Sequence, residues 1–155
     1  MKILVCGGRY FGWTKKELAF IYSQLYSVLE PKPTLFPNKH ASSPHTLVSG
    51  EAAGTDIIGT HFAKELYGLN YKGYPADWDR YGNSAGPIRN SEMLKENPDI
   101  DVVIAFPGGR GTNDMLKKAK KKNIRCIEFD YSIPYKELEK ERKGKTFPWQ
   151  YMKNL

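Results

Sequence analysis

Short apolar runs alternate with segments of helical periodicity along most of this 155-residue chain. Such runs are typical of strands buried on both faces of a sheet, and a helix between successive strands makes the strands parallel. Right-handed crossovers then predict a Rossmann-like three-layer α/β sandwich with a mostly parallel five-stranded sheet, in the order 3-2-1-4-5. The expected strands lie at 3–6, 46–49, 70–74, 101–106 and 124–129.

The pattern changes after the fifth strand. We expect residues 1–130 to form the Rossmann-like domain, with a proline-rich surface loop at 30–45. Residues 131–155 then form a basic and aromatic C-terminal extension, in which 135–143 are predicted to be a short charged helix. The aromatic residues at 147–152 are expected to pack on the domain itself or on a sister subunit, and we expect a homo-oligomer.

The charge balance favours anionic partners. The chain has 24 Lys and Arg against 17 Asp and Glu, a net charge of +7. This balance attracts nucleic acids and small phosphates alike. The densest basic run, residues 117–122, falls near the end of a predicted helix, where cations complement the helix dipole. A solvated face is therefore favoured there over a track for nucleic-acid phosphates.

The apolar runs are too short for a membrane protein. None approaches the ~20 residues that cross a bilayer, and the apolar start is too short for a signal peptide. We therefore expect a cytoplasmic protein with no membrane partner. Cys6 and Cys126 each lie in an apolar run, which fits reduced core thiols better than a disulfide.

Three glycine-rich turns, at 7–9, 49–56 and 107–112, each follow a predicted strand and precede a helix. In a parallel sheet all such turns emerge at the carboxyl edge, so the spacing predicts that they converge. Glycine permits close backbone approach, and a helix start offers free N–H groups to an anion. The predicted ligand-binding residues in these turns are Gly7, Gly8, Arg9, Ser49, Gly50, Gly54, Thr55, Asp56, Pro107, Gly108, Gly109, Gly111 and Thr112.

A polar segment leaves the third strand at the same edge. Asp77 and Asp79 are the alternative candidates to accept hydrogen bonds from ribose hydroxyls, and Trp78 and Tyr81 are the alternative candidates to stack on a base. Arg89, expected in the first turn of the next helix, would bind a phosphate or carboxylate with Asn90 beside it. The alternative is that the aromatic residues anchor the loop and that Arg89 pairs with a nearby acid.

Several common sites are disfavoured. Gly7 to Gly12 have Walker-like spacing, but Trp13 and Thr14 stand where Lys and Ser or Thr are required. The glycines at 109 and 111 lack the third glycine of a dinucleotide fingerprint, so neither an ATPase nor an ordinary NAD-dependent oxidoreductase is expected. The three histidines have no ligand spacing, and we expect no metal and no cofactor.

Four stretches together carry a family resemblance: 7–11, 49–56, 74–93 and 106–114. They resemble the YspA-like branch of the SLOG superfamily, which groups DprA-like and LOG-like Rossmann domains. The resemblance implies a nucleotide or nucleotide-derived ligand bound across Gly108, Gly109, Gly111 and Thr112. It also implies either cleavage of nucleoside monophosphates or a sensor role in conflict systems, bacterial and phage immunity included.

The sequence differs from the LOG-type motif at one position. LOG-type enzymes carry a Glu three residues after the Thr of Pro-Gly-Gly-x-Gly-Thr, and here that position is Met115, with Asp114 one residue earlier. The favoured function is therefore a sensor or sequestering protein for an ADP-ribose derivative or a cyclic-nucleotide-like signal. The alternative is a nucleoside 5′-monophosphate N-glycosidase that uses Arg89 and Asp114. The third is DprA-like binding of single-stranded DNA.

Overall fold

The structure, a computed structural model, describes residues 1–35 and 43–154; residues 36–42 of the predicted proline-rich loop lie outside the described residues. Its five strands form one all-parallel sheet in the order β3-β2-β1-β4-β5, which confirms the predicted fold class and strand order. The strands are β1 Lys2–Cys6, β2 Thr46–Ser49, β3 Asn70–Gly73, β4 Val102–Ala105 and β5 Cys126–Glu128.

Helices connect successive strands and cover both faces of the sheet. The Thr14 hydroxyl caps the first helix by accepting the Glu17 N–H at 3.1 Å, because the helix start otherwise leaves that donor unpaired. The helices are α1 Lys15–Val28, α2 Thr55–His61, a π-helical turn Phe62–Leu66, α3 Trp78–Tyr81, a 3-10 turn Gly82–Ser84, α4 Ala85–Glu96, α5 Arg110–Lys121, α6 Tyr135–Arg142 and a 3-10 segment Trp149–Asn154.

The core consists of one apolar layer on each face of the sheet. On one face α1 and α2 pack against alternate strand residues such as Ile3 and Val5, and on the other α4 and α5 pack against Leu4 and Val103. Cys6 is buried and Cys126 half-buried, and both are free thiols. Among the described residues, none of the helices combines the length and apolar composition needed to cross a bilayer.

The C-terminal extension adds to the layer formed by α1 and α2. Leu138 of α6 is 1% exposed and Phe147 is 6% exposed, and both belong to that layer. The Tyr151 hydroxyl donates to the carbonyl of Gly12, at the end of the turn that follows β1. The aromatic tail therefore packs on its own domain, which is one of the two expected locations.

Candidate functional site

The three glycine-rich turns contact one another at the carboxyl edge, with Gly8 at their centre. The Gly8 N–H donates to the carbonyl of Pro107 at 2.8 Å, which joins the turns after β1 and β4. The backbone N–H and hydroxyl of Thr55 both donate to the Gly8 carbonyl, at 3.4 and 3.3 Å. The turn after β2 is thereby joined to the same point.

The space beside several of these glycines holds the protein's own atoms. A Cβ on Gly8 would overlap the ring of Tyr135, and a Cβ on Gly108 would overlap the Thr112 hydroxyl and lie 2.8 Å from the Gly8 nitrogen. Packing between the turns and the surrounding side chains thus leaves no room for a Cβ at these positions. The same applies to Gly7 against Thr55, Gly50 against Arg89 and Gly54 against the carbonyls of Gly8 and Arg9.

A cavity of about 260 Å³ lies between the carboxyl ends of β4 and β5 and the first turn of α5. Of the residues predicted from the sequence, Pro107, Gly108 and Thr112 line it. Gly109 caps α5 and Gly111 lies in its first turn. The lining residues are Ala105, Phe106, Pro107, Gly108, Thr112, Asn113, Leu116, Glu128, Phe129, Asp130, Tyr131, Ile133, Pro134 and Tyr135.

The two sides of this cavity differ in charge. The first turn of α5 carries backbone N–H groups without intrahelical acceptors and the positive end of the helix dipole, both of which favour an anion. Asn113 adds a neutral amide there. The acidic residues Glu128 and Asp130 lie on the β5 side, where the Glu128 carboxylate is paired with Lys120 at 3.3 Å. The cavity therefore suits a ligand with an anionic end and a hydroxyl-bearing end.

The wall formed by the end of β5 and the extension was not predicted from the sequence. Asp130 and Tyr131 follow β5 at the carboxyl edge, and the rule applied to the other strand ends would have found them. No pattern in the sequence indicated that Tyr135 would line the cavity. Its ring lies over Gly8 and Gly109, and its hydroxyl accepts the Tyr10 N–H at 3.4 Å.

Arg89 is the centre of a second polar cluster, between the β2 turn and α4. Because α4 begins at Ala85, Arg89 lies in the second turn of the helix, and the expectation of a first-turn position is wrong. Its Nη1 donates to the Gly50 carbonyl at 2.6 Å, and its Nε donates to Oδ1 of Asn90 at 3.0 Å. Arg89 therefore fastens α4 to the β2 turn.

Asn90 connects this cluster to α5. It is 3% exposed, and its Nδ2 donates to the Gly111 carbonyl at 3.1 Å and to Oδ2 of Asp114 at 3.0 Å. Asp114 also pairs with Lys118 at 2.9 Å. The structure thus links Arg89 and Asp114, the two residues of the N-glycosidase alternative, through one amide. Met115 is fully buried in the core.

Asp56 is a buried acid at the same edge. It is 6% exposed; its Oδ2 accepts the Ala52 N–H at 3.3 Å, whereas Oδ1 has no hydrogen-bond partner within the described part of the chain. Burial raises the pKa of Asp56 to about 7, against the lowering effects of the Arg89 charge and the Ala52 N–H. The neighbouring Ser49 hydroxyl donates to the Asp56 carbonyl at 3.4 Å.

The remaining candidates lie away from the cavity. Asp77 caps α3 by accepting the Arg80 N–H at 3.1 Å, and Trp78 is 53% exposed with its ring against Gly86. The side chain of Arg9 is exposed, and its carbonyl accepts the Trp13 indole N–H at 2.7 Å. The structure does not bring these three residues to the cavity.

An all-parallel sheet of this order, with a cavity at the carboxyl ends of its strands, defines a Rossmann-like α/β protein. No protein-family model matches the sequence, and no solved structure matches it. The chain is 37% identical over 95 residues to the Gene 61 protein of Mycobacterium phage D29, and the alignment covers 56% of this chain and 74% of that protein. The chain therefore belongs to the family of the Gene 61 protein.

Proposed function

We propose that this protein is a SLOG-type sensor or sequestering protein that binds a nucleotide or nucleotide-derived signal, with ADP-ribose derivatives and cyclic nucleotides as candidate ligands. One observation carries the proposal: the 260 Å³ cavity at the first turn of α5. It lies between the carboxyl ends of β4 and β5, next to the switch point between β1 and β4 at which the chain order of the sheet reverses. Open α/β sheets bind ligands outside the carboxyl ends of their strands, around such a switch point.

The net charge of the chain and its similarity to a phage protein support the same proposal. A net charge of +7 raises the local concentration of anionic ligands. The first turn of α5 offers a phosphate the N–H groups and the positive dipole end that a helix start supplies. The related Gene 61 protein belongs to a phage, which agrees with a setting of phage–bacterium conflict.

The test is calorimetric titration with adenosine monophosphate, cyclic adenosine monophosphate and ADP-ribose. We expect at least one to bind with micromolar affinity, a free energy of about −8 kcal/mol. In Asn113→Asp a carboxylate of nearly the same shape faces the ligand, and we expect at least about tenfold weaker binding through charge repulsion. An acid in the first turn favours the helix, so the fold is retained.

Gln24→Glu in α1 is the matched control, because it makes the same amide-to-carboxylate change away from the cavity. Its affinity should equal that of the wild type. Failure of all three nucleotides to bind would refute the proposed function. Equal affinity in Asn113→Asp and the wild type would refute the proposed location.

The N-glycosidase remains a second candidate because Asn90 joins Arg89 to Asp114. Glycosidic cleavage needs a group that activates water or stabilises oxocarbenium-like charge, and the Asp114 carboxylate is that group in this hypothesis. Incubation with adenosine monophosphate should then release free adenine, and Asp114→Asn should abolish the release while Asp79→Asn on the exposed α3 retains it. Binding without release would exclude the enzyme.

A further inference from the structure

Tyr135 separates the cavity from the turn that follows β1. Its ring is part of the cavity lining and also lies against Gly8 and Gly109, so closely that a Cβ on Gly8 would overlap it. The Tyr135 hydroxyl accepts the Tyr10 N–H at 3.4 Å. The ring is therefore a partition, with the cavity on one side and the glycine-rich β1 turn on the other.

This partition is held in place by the extension that carries it. Tyr135 is the first residue of α6, and three residues later Leu138 is 1% exposed in the core. At the end of the same helix, Arg142 forms a buried ion pair with Glu17 and donates to the Tyr10 carbonyl at 2.8 Å. The middle and the end of α6 are thus anchored, and the Tyr135 ring is not free to leave without loss of these contacts.

The space on the cavity side is small. Its volume of about 260 Å³ falls just below the range of about 300–1,000 Å³ that ligand pockets usually have. A space of this size suits a ligand no larger than a mononucleotide, whereas ADP-ribose carries a second phosphate and a second sugar. To stay enclosed, a ligand that extends across a pyrophosphate would need the space that the Tyr135 ring itself fills.

The charges of the cavity lining also favour a ligand with only one phosphate group. A phosphate at the first turn of α5 meets the positive end of the helix dipole, whereas a second phosphate would approach the acidic residue Asp130 on the β5 side; the Glu128 carboxylate there is paired with Lys120. Hydroxyl groups, in contrast, donate readily to a carboxylate. The lining therefore suits one phosphate followed by a sugar.

We infer that Tyr135 is a specificity-determining residue, an inference that rests on the proposed function. Its ring restricts the site to nucleotides with a single phosphate group, linear or cyclic. It thereby excludes pyrophosphate-linked ligands such as ADP-ribose. Asp130 contributes to the same selectivity through its charge.

The test is calorimetric titration of adenosine monophosphate, cyclic adenosine monophosphate and ADP-ribose into the wild type and variants. We expect the wild type to bind the better of the two single-phosphate ligands at least about tenfold more tightly than ADP-ribose. Tyr135→Phe keeps the ring and should keep the ratio. Tyr135→Ala removes the partition and should raise ADP-ribose affinity at least about fivefold.

Asp130→Asn is the second variant, because Asp130 is exposed and its replacement leaves the partition in place. It should also raise ADP-ribose affinity, even if Tyr135→Ala fails to fold. Equal wild-type affinity for ADP-ribose and the single-phosphate ligands would overturn this inference and leave the proposed function standing. Binding of none of the three would overturn both, and unchanged ADP-ribose affinity in the folded variants would overturn the role of these residues.

Discussion

Arg142 and Glu17 form a two-point ion pair between the end of α6 and the start of α1. Nη1 of Arg142 lies 2.6 Å from Oε1 of Glu17, and Nη2 lies 2.9 Å from Oε2. The two side chains are 9% and 2% exposed. Glu17 also accepts the Gly12 N–H at 2.9 Å, so the pair ties the extension to the β1 turn as well as to α1.

Loss of one member of this pair should destabilise the fold strongly. In Arg142→Met the Glu17 carboxylate stays buried without its cation, and we expect the free energy of unfolding to fall by about 3–5 kcal/mol. Urea denaturation followed by circular dichroism measures the change. The double variant Arg142→Met with Glu17→Gln leaves no unpaired charge and should recover part of the loss; a double variant as unstable as the sum of the two single variants would contradict this account.

Low pH should weaken the ion pair between Arg142 and Glu17. Burial by itself would raise the pKa of Glu17, but hydrogen bonds from Arg142, the Thr14 hydroxyl and the Gly12 N–H bring it below its ordinary value of 4.5. The folded carboxylate therefore holds a proton less tightly than the unfolded one, and its contribution is complete above the ordinary pKa and lost as pH falls through the lower folded pKa. Urea midpoints should drop as the pH falls below about 4.5, and drop less in Glu17→Gln.

Asp56 should have the opposite pH dependence. Its folded pKa of about 7 lies above the unfolded value of about 3.9, so its contribution to stability is complete below about pH 4 and lost as pH rises through 7. The side chain introduced by Asp56→Asn is uncharged over this whole pH range. We expect this variant to exceed the wild type by up to about 4 kcal/mol at about pH 8 and to match it near pH 4, by urea denaturation. A difference that does not change with pH would show that Asp56 is ionised in the folded protein.

Two glycines of the same turn should respond oppositely to alanine. In Gly108→Ala the new Cβ overlaps the Thr112 hydroxyl and lies 2.8 Å from the Gly8 nitrogen, so the turns must separate and stability should fall by about 1–3 kcal/mol. At Gly111, inside α5, none of the described atoms lies within 4 Å of a new Cβ. Gly111→Ala should therefore stabilise by up to about 1 kcal/mol through helix propensity. Thermal melts measure the stability of the two variants. Equal losses of stability in both would contradict the packing described for Gly108.

The local pattern of the sequence was sufficient for the elements and their order. The run from Ile3 to Cys6 and its counterparts show the apolar continuity that a doubly covered strand requires, and the Thr14 capping box marks the start of α1. Because parallel strands place their turns on one edge, the same pattern predicted that the turns at Gly8, Thr55 and Pro107 meet.

Only the tertiary structure decided what fills that edge. The Tyr135 ring lies over Gly8, and Arg142 pairs with Glu17 across 125 residues of sequence. The periodicity of a segment reports which of its faces is buried, but it carries no information about the distant residue that buries it. That choice depends on the path of the chain after β5, which brings α6 back across the sheet edge. The sequence therefore determined where the strand-to-helix turns meet, and the packing of the extension determined how much space stays open beside them.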